Sequence, residues 1–349
     1  MRYKELLIKN FRSIESLEIK KIQDINILVG KNGCGKTSVL EALFLLSGMS
    51  NPTLPQNVNL MRELMFTNNE DFKYIFNDFD FLKPIQIKGK LDKGERYLYI
   101  KPKYEEQLKE YKQNIQETGK SNVSIISTKL KPSLSGINLE FETDGKKYVI
   151  DYSINKIYVP NLEYKENFQC SYIYPKFPLA SIKEVIEKLT GGKKLYRIIP
   201  ILQEIEPRIA DIRIGLGGLI YVDIGLNSLV PINLLGDGLI KILTIISIMT
   251  QTENGILLID EIENGLYYTS LAILWKAIIK SAMEFNVQII ATTHSYECIE
   301  NLSKIFLENK IKKFGISLYR VRKHGNKHKI YSLDAEDIKT GIQSDLEVR

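Results

Sequence analysis

One stretch limits the folds open to this chain more than any other. It runs from Ile25 to Leu46, INILVGKNGCGKTSVLEALFLL, and reads as a strand, a tight glycine loop and a helix. Ile25, Ile27, Leu28 and Val29 form the short apolar run that a buried parallel strand needs. Gly30-Lys31-Asn32-Gly33-Cys34-Gly35-Lys36-Thr37 then fits G-x-x-x-x-G-K-[ST] at each fixed position. The glycines let the backbone curl, so that the N–H groups from Asn32 to Gly35 point at one phosphate chain. Lys36 is expected to reach the β- and γ-phosphates of a nucleotide, and the Thr37 hydroxyl to ligate Mg²⁺. The helix from Ser38 onward turns its positive end toward the same anion. A chance glycine-rich turn is the competing explanation, and the strand–loop–helix setting argues against it.

With 349 residues, 44% hydrophobic and 26% charged, the chain can bury a large core in one big domain or two. It holds no apolar stretch long enough to span a membrane, and its opening, MRYKELLIKNFRS, lacks a signal-peptide core. Cys34, Cys170 and Cys298 are widely spaced and show no paired metal-ligand spacing. A reducing, cytoplasmic setting is the expectation. Cys34 is a small residue tolerated in the loop; nearby N–H groups acting on its thiol are the alternative. The net charge of +6 permits contact with nucleic acid without demanding it.

Along the chain, Lys4 to Ile8 and Leu17 to Ile22 predict a hairpin leading to the phosphate-loop strand. Asn51-Pro52-Thr53-Leu54-Pro55 breaks the helix that follows the loop. From about Ile85 to Tyr174 the alternating segments 96–100, 137–142 and 147–152 predict antiparallel strands. A charged helical piece from Tyr104 to Gln116 is expected to interrupt them. We expect residues 85–174 to be a β-rich insertion between two parts of one domain, 1–84 and 175–349. Helices are predicted at Ile182 to Leu189, Leu195 to Ile205, Leu239 to Met249, Thr269 to Glu284 and Cys298 to Asn309. Strands are predicted at Ile209 to Ile214, Leu219 to Ile224, Ile256 to Ile259, Val287 to Ala291, Ile316 to Arg322 and Lys329 to Leu333.

Two further sites carry chemistry. Ile256-Leu257-Leu258-Ile259 is a buried strand that ends in Asp260-Glu261. It sets Asp260 at a carboxyl end, where open α/β sheets bind ligands. Asp260 is expected to hold Mg²⁺, and Glu261 to polarise the attacking water. The next strand ends in Thr292-Thr293-His294-Ser295. His294 is the expected sensor of the γ-phosphate. A solvated acidic turn and a structural histidine are the bland alternatives.

Together these motifs resemble an ABC-type ATPase. The branch is the one shared by SMC and DNA-repair ATPases, the OLD nucleases and many stand-alone bacterial ATPases. Lys9-Asn10-Phe11-Arg12-Ser13 is also typical of that branch, and the resemblance implies that Arg12 approaches the nucleotide. It implies an α/β head with a mostly parallel central sheet, an N-terminal antiparallel β layer and Mg-ATP as the bound species. In that family ATP is sandwiched between two heads, and a signature loop comes from the partner. The usual L-S-G-G-Q is absent. Leu235-Gly236-Asp237-Gly238 resembles the L-G-D-G variant, so that Gly236, Asp237 and Gly238 would cap the opposite γ-phosphate; an ordinary helix N-terminus capped by Asp237 is the alternative. Glu263-Asn264-Gly265 matches the D-loop, with Asn264 crossing to the partner, and position 267 is Tyr where relatives often carry His. Gln56 is a weak candidate for the Q-loop glutamine, and a surface residue in a Pro-bounded loop is the plainer reading of it.

Absences narrow the choice. About 170 residues without heptads separate the two halves, so no long coiled coil is expected. Only about 55 residues follow His294, too few for an appended TOPRIM nuclease domain. The resemblance therefore implies an ATP-linked homodimer, or a larger assembly of it, that regulates a separate nuclease or toxin in bacterial anti-phage defence. The alternative is a DNA-maintenance ATPase that binds DNA directly. The basic tail, Lys310, Lys312, Lys313, Arg320, Arg322, Lys323, Lys327 and Lys329, reads either as a DNA-phosphate surface or as a solvated face.

Overall fold

The computed structural model describes residues 1–113, 125–154, 156–158, 164–177, 179–192, 194–204, 206–215, 218–308, 314–325, 327–333, 337 and 340. In chain order the elements are β1 (Tyr3–Phe11), β2 (Ile14–Ile19), β3 (Ile25–Val29), α1 (Lys36–Ser47), α2 (Leu54–Leu60), β4 (Ile85–Leu91), β5 (Glu95–Gln113) and β6 (Ile125–Thr143). There follow β7 (Lys146–Ser153), β8 (Lys156–Tyr158), β9 (Cys170–Ile173), α3 (Leu179–Gly191), α4 (Ile199–Leu202), β10 (Asp211–Ile214), β11 (Ile220–Asp223) and β12 (Val230–Pro231). The chain then forms α5 (Asp237–Gln251), β13 (Ile256–Ile259), α6 (Leu271–Glu284), β14 (Gln288–Thr292), α7 (Tyr296–Glu308), β15 (Ile316–His324) and β16 (Lys327–Leu333).

Among the described residues these strands make three sheets. The central one has the order β16-β15-β3-β14-β13-β9. It is parallel except for the β15–β16 hairpin at one edge. All five residues of β3 are buried, as a parallel strand covered on both faces requires. Alternation then sorts the side chains. Ile25, Ile27, Val29, Leu257, Ile259 and Ile289 join one core with Ile186, Ile245, Trp275 and Leu302. Leu28, Ile256, Leu258 and Ile290 join a second core with Val39, Leu43, Leu6 and Ile87. Helix α1 lies between the central sheet and a seven-stranded antiparallel layer ordered β2-β1-β4-β5-β6-β7-β8. The third sheet is small, β10-β11-β12.

The structure departs from the sequence reading at two expected helices. The helix expected from Tyr104 is strand as far as Gln113, and residues 114–116 lie outside the described set. Glu, Gln, Leu and Lys there favour helix, but ladder pairing with β6 continues to Gln113↔Ile125 and overrides local propensity. The β1–β2 hairpin lies in the antiparallel layer, as expected of an N-terminal β layer. Sheet pairing joins residues on both sides of positions 85 and 174. Strand β4 pairs with β1, and β9 pairs with β13 inside the central sheet. The helix expected from Leu195 is two short turns, 195–197 and 199–202, with Pro200 near the start of the second. No helix among the described residues is long and apolar enough to cross a membrane.

Candidate nucleotide site

The register brings three strand ends level. Leu28 lies beside Thr292, and Ala291 beside Ile259, so the chain leaves β3, β14 and β13 at one edge of the sheet. There Gly30, Gly33 and Gly35 adopt positive φ angles of 142°, 74° and 101°, which an L side chain rarely accepts. Gly35 caps α1, and among the described residues no side chain caps that helix and no acid occupies its first turn. The first N–H groups of α1 are thus left for an anion. Lys36 is buried, and its Nζ donates to the carbonyls of Gly30 at 2.7 Å and Lys31 at 3.1 Å. Burial lowers its pKa, opposed by Cys34, Asp260, Glu261 and Glu263.

The Thr37 hydroxyl donates to Asp260 Oδ2 at 2.9 Å, across 223 residues of chain. Thr292 Oγ1 donates to Asp260 Oδ1 at 2.6 Å and accepts the Glu261 N–H at 2.8 Å. Thr292 therefore holds Asp260 and also the left-handed backbone of Glu261, φ 50°. A hydroxyl and a carboxylate at contact distance suit a hard divalent cation, so Thr37 and Asp260 fit Mg²⁺. Glu261 and His294 line one cavity of about 590 Å³ with Asn32, Gly33, Lys36, Thr37 and Ser38. Glu263 accepts the backbone N–H groups of His294 at 2.6 Å and Ser295 at 3.2 Å, which fixes the turn that presents the histidine. Cys34 is buried in the loop beside Lys36, Sγ 4.0 Å from its Nζ, and lines a neighbouring cavity.

Arg12 stands in the wall of the phosphate cavity but is already engaged. Its guanidinium donates to Glu41 at 3.1 Å, to the Tyr74 carbonyl at 2.9 Å and to the Val58 carbonyl at 3.3 Å. Gln56 lies half-buried in α2, where its side-chain oxygen accepts the Tyr152 hydroxyl, and it does not line the cavity. The glycine loop before α5 lies elsewhere. Gly236 and Gly238 line one cavity with Glu206 and Ser270, while Asp237 and Asn264 line another with Lys241 and Gly265. Gly236 is the cap of α5 and Asp237 its first residue, so the aspartate is not the cap.

A family model described as "AAA domain, putative AbiEii toxin, Type IV TA system" matches residues 25–300. The chain belongs to that AAA family. It is 26% identical over 335 residues to an "ATP/GTP phosphatase" of Helicobacter pylori, covering 86% of this chain and 87% of that one. A 46-residue stretch is 50% identical to the DNA replication and repair protein RecF of Vibrio atlanticus, 13% of either chain. The fold is that of SMC heads. The SMC head domain from Thermotoga maritima matches at a TM-score of 0.52 and 14% identity, over 96% of this chain and all of that one. An SMC head bound to the C-winged helix domain of ScpA matches at 0.52 and 13%, over 97% of this chain and all of the other. The protein is thus a P-loop ATPase of the AAA family with the fold of an SMC head.

Several residues of this ATPase's site escape sequence reading. Arg62 enters the cavity wall beside Arg12, bonded to Glu41 at 2.6 Å. Tyr74, Phe76, Asp78 and Phe79 form another wall, and Lys323 arrives from β15. Burial lowers the pKa of Lys241, on α5, and Glu263, Glu261 and Asp260 oppose the shift. None lies within a motif, and of them only Lys323 stands out in the sequence, as part of the tail's basic run.

Proposed function

We propose that two copies of this ATPase close face to face around two ATP molecules and reopen on hydrolysis, and that this cycle gates a separate effector, a nuclease or toxin, in anti-phage defence. One observation carries the dimer. Gly236, Asp237, Gly238 and Asn264 line cavities other than the phosphate cavity, which supports a glycine loop that completes the site of another copy. Exposed apolar groups surround that loop: Leu234 is 75% exposed, and Tyr267 67%. Segment 266–270 packs on Gly238, with Leu266 at 3.4 Å from where a Cβ would stand. A toxin–antitoxin setting is supported by the family description.

Within one site, Gly33 to Thr37 and the start of α1 hold the triphosphate, and Lys36 balances its charge. Thr37 and Asp260 would hold Mg²⁺, which when bound draws charge from the phosphate oxygens. Glu261 orients the attacking water and takes its proton as the oxygen joins the γ-phosphorus and ADP leaves. His294 donates a hydrogen bond to the γ-phosphate oxygens. Closure of the dimer is stabilised by whatever binds the closed form better than the open one, here two shared nucleotides. The deciding measurement is the solution mass of Glu261→Gln with and without Mg-ATP. A monomer that becomes a dimer on addition of Mg-ATP is expected. A monomer in both conditions overturns the shared-nucleotide reading.

A further inference from the structure

The end of β15 stands past the edge of β3 and against the phosphate loop. Arg320 pairs with Val29, the last residue of β3, yet β15 runs on to His324 with β16 as its partner. A Cβ at Gly30 would collide with the Val321 carbonyl, so loop and hairpin are packed together at that point. A cavity of about 590 Å³ lies between them. Lys31, Cys34, Arg320, Arg322, Lys323 and His324 line it, with Asn32 and Gly33 of the loop.

The lining has one sign of charge. Lys31, Arg320, Arg322 and Lys323 are cations, and among the described residues no carboxylate lines this cavity. The phosphate cavity differs: there Asp78 and Glu261 stand among Arg12, Lys36 and Arg62. Asn32, Gly33 and Lys323 line both cavities, so the two adjoin. Among the described residues Lys323 forms no ion pair. Apart from the His324 imidazole, no described aromatic ring lines the second cavity, so it offers no stacking surface for a nucleobase.

Hydrolysis leaves two anions side by side, the nucleoside diphosphate and inorganic phosphate. The freed phosphate stands beside Glu261 and the diphosphate, and both repel it. An adjoining cavity of uniform positive charge attracts it. We propose that the cavity between the phosphate loop and the end of β15 receives the inorganic phosphate released by hydrolysis and holds it before it leaves, granted that the phosphate loop holds the nucleotide; dimer closure is not required. Lys323, present in both walls, hands the ion from one cavity to the other. The ligand is a free tetrahedral anion and not a second nucleotide. Product departure limits the turnover of many enzymes, and here the cations of the second cavity govern phosphate loss and not bond cleavage.

The test is calorimetric titration of inorganic phosphate into the full chain saturated with Mg²⁺ and the non-hydrolysable analogue AMPPNP, which fills the loop. Phosphate uptake by the loaded protein is expected, and Arg320→Gln/Arg322→Gln is expected to weaken it about tenfold. Arg322→Gln alone, at an exposed position, weakens it about threefold. Lys93→Gln/Lys146→Gln removes the same charge at exposed lysines elsewhere and leaves uptake within about twofold. Unchanged AMPPNP affinity in each variant reports an intact fold and loop. In turnover, inhibition by added phosphate is expected to persist at saturating ATP and to weaken in Arg320→Gln/Arg322→Gln. No uptake by the loaded protein, equal losses in cavity and control variants, or inhibition that saturating ATP abolishes overturns the proposal. Failure of AMPPNP to bind would remove the phosphate-loop reading and the proposal with it, whereas a dimer that never forms would leave the titration unchanged.

Discussion

Two helices of this protein begin at a glycine with no side-chain cap among the described residues, and they end up differently equipped. At α1, Gly35 has φ 101°, the first turn holds no acid, Lys36 and Thr37 line one cavity with Glu261 and His294, and Thr37 bonds Asp260. At α5, Gly236 has φ 95°, the first turn holds Asp237, and exposed Leu234 lies just before it. The first is a finished anion site. The second carries its own negative charge against the helix dipole and is flanked by uncovered apolar surface. A helix start binds phosphate when the groups around it supply cation, hydroxyl and enclosure; the glycine alone does not suffice. In the proposed dimer, the second helix start is the surface that another copy completes.

The comparison can be broken from either side. Lys36→Ala should weaken ATP binding by about 100-fold or more, roughly 3 kcal/mol, since it removes a buried ammonium beside the loop. Retained affinity in calorimetry would mean that the α1 end is not the phosphate site. Glu261→Gln should cut turnover by about 10²–10⁴-fold with affinity kept. Steady-state phosphate release at near-normal rates would remove Glu261 from the water-activating role. Gly236→Val sharpens the contrast. No atom lies within 4 Å of the new Cβ, so the fold should survive and the monomer's ATP affinity should stay within about twofold. ATP-driven dimerisation and turnover should fall about tenfold, the left-handed backbone being strained by a side chain. Equal loss of monomer affinity would instead place Gly236 in its own chain's site.

Smaller effects test how the finished site is held. Thr292→Val removes the bonds to Asp260 and to the Glu261 N–H, and should lower kcat about tenfold and stability by about 1–3 kcal/mol. An unchanged kcat would show that Asp260 and Glu261 position themselves. Gln56→Ala should leave turnover unaltered and cost at most about 1 kcal/mol in denaturant titration, since its partner is the Tyr152 hydroxyl. A loss of turnover would place this glutamine in the chemistry after all.

The sequence by itself determined what is local. The glycine loop, the buried strands 25–29 and 256–259 and the helix after the loop are contiguous patterns, and period-two and period-3.6 signals read them directly. Motif spacing also picked out Asp260, Glu261 and His294, which the structure gathers at one edge of the sheet with Thr37. Tertiary structure alone decided what depends on pairing between distant segments. Residues 104–113 carry helix formers and yet run as strand, because β6 supplies a ladder. The four-residue Cys170–Ile173 segment became a strand of the central sheet because β13 lies beside it. Arg12 was drawn into a strut by Glu41, and Lys323 entered the nucleotide cavity on a hairpin formed near the far end of the chain. Loops are closed at a cost that grows slowly with length, so contacts of this kind leave little trace in neighbouring residues. Their partners are chosen by burial and backbone hydrogen bonds across the whole fold.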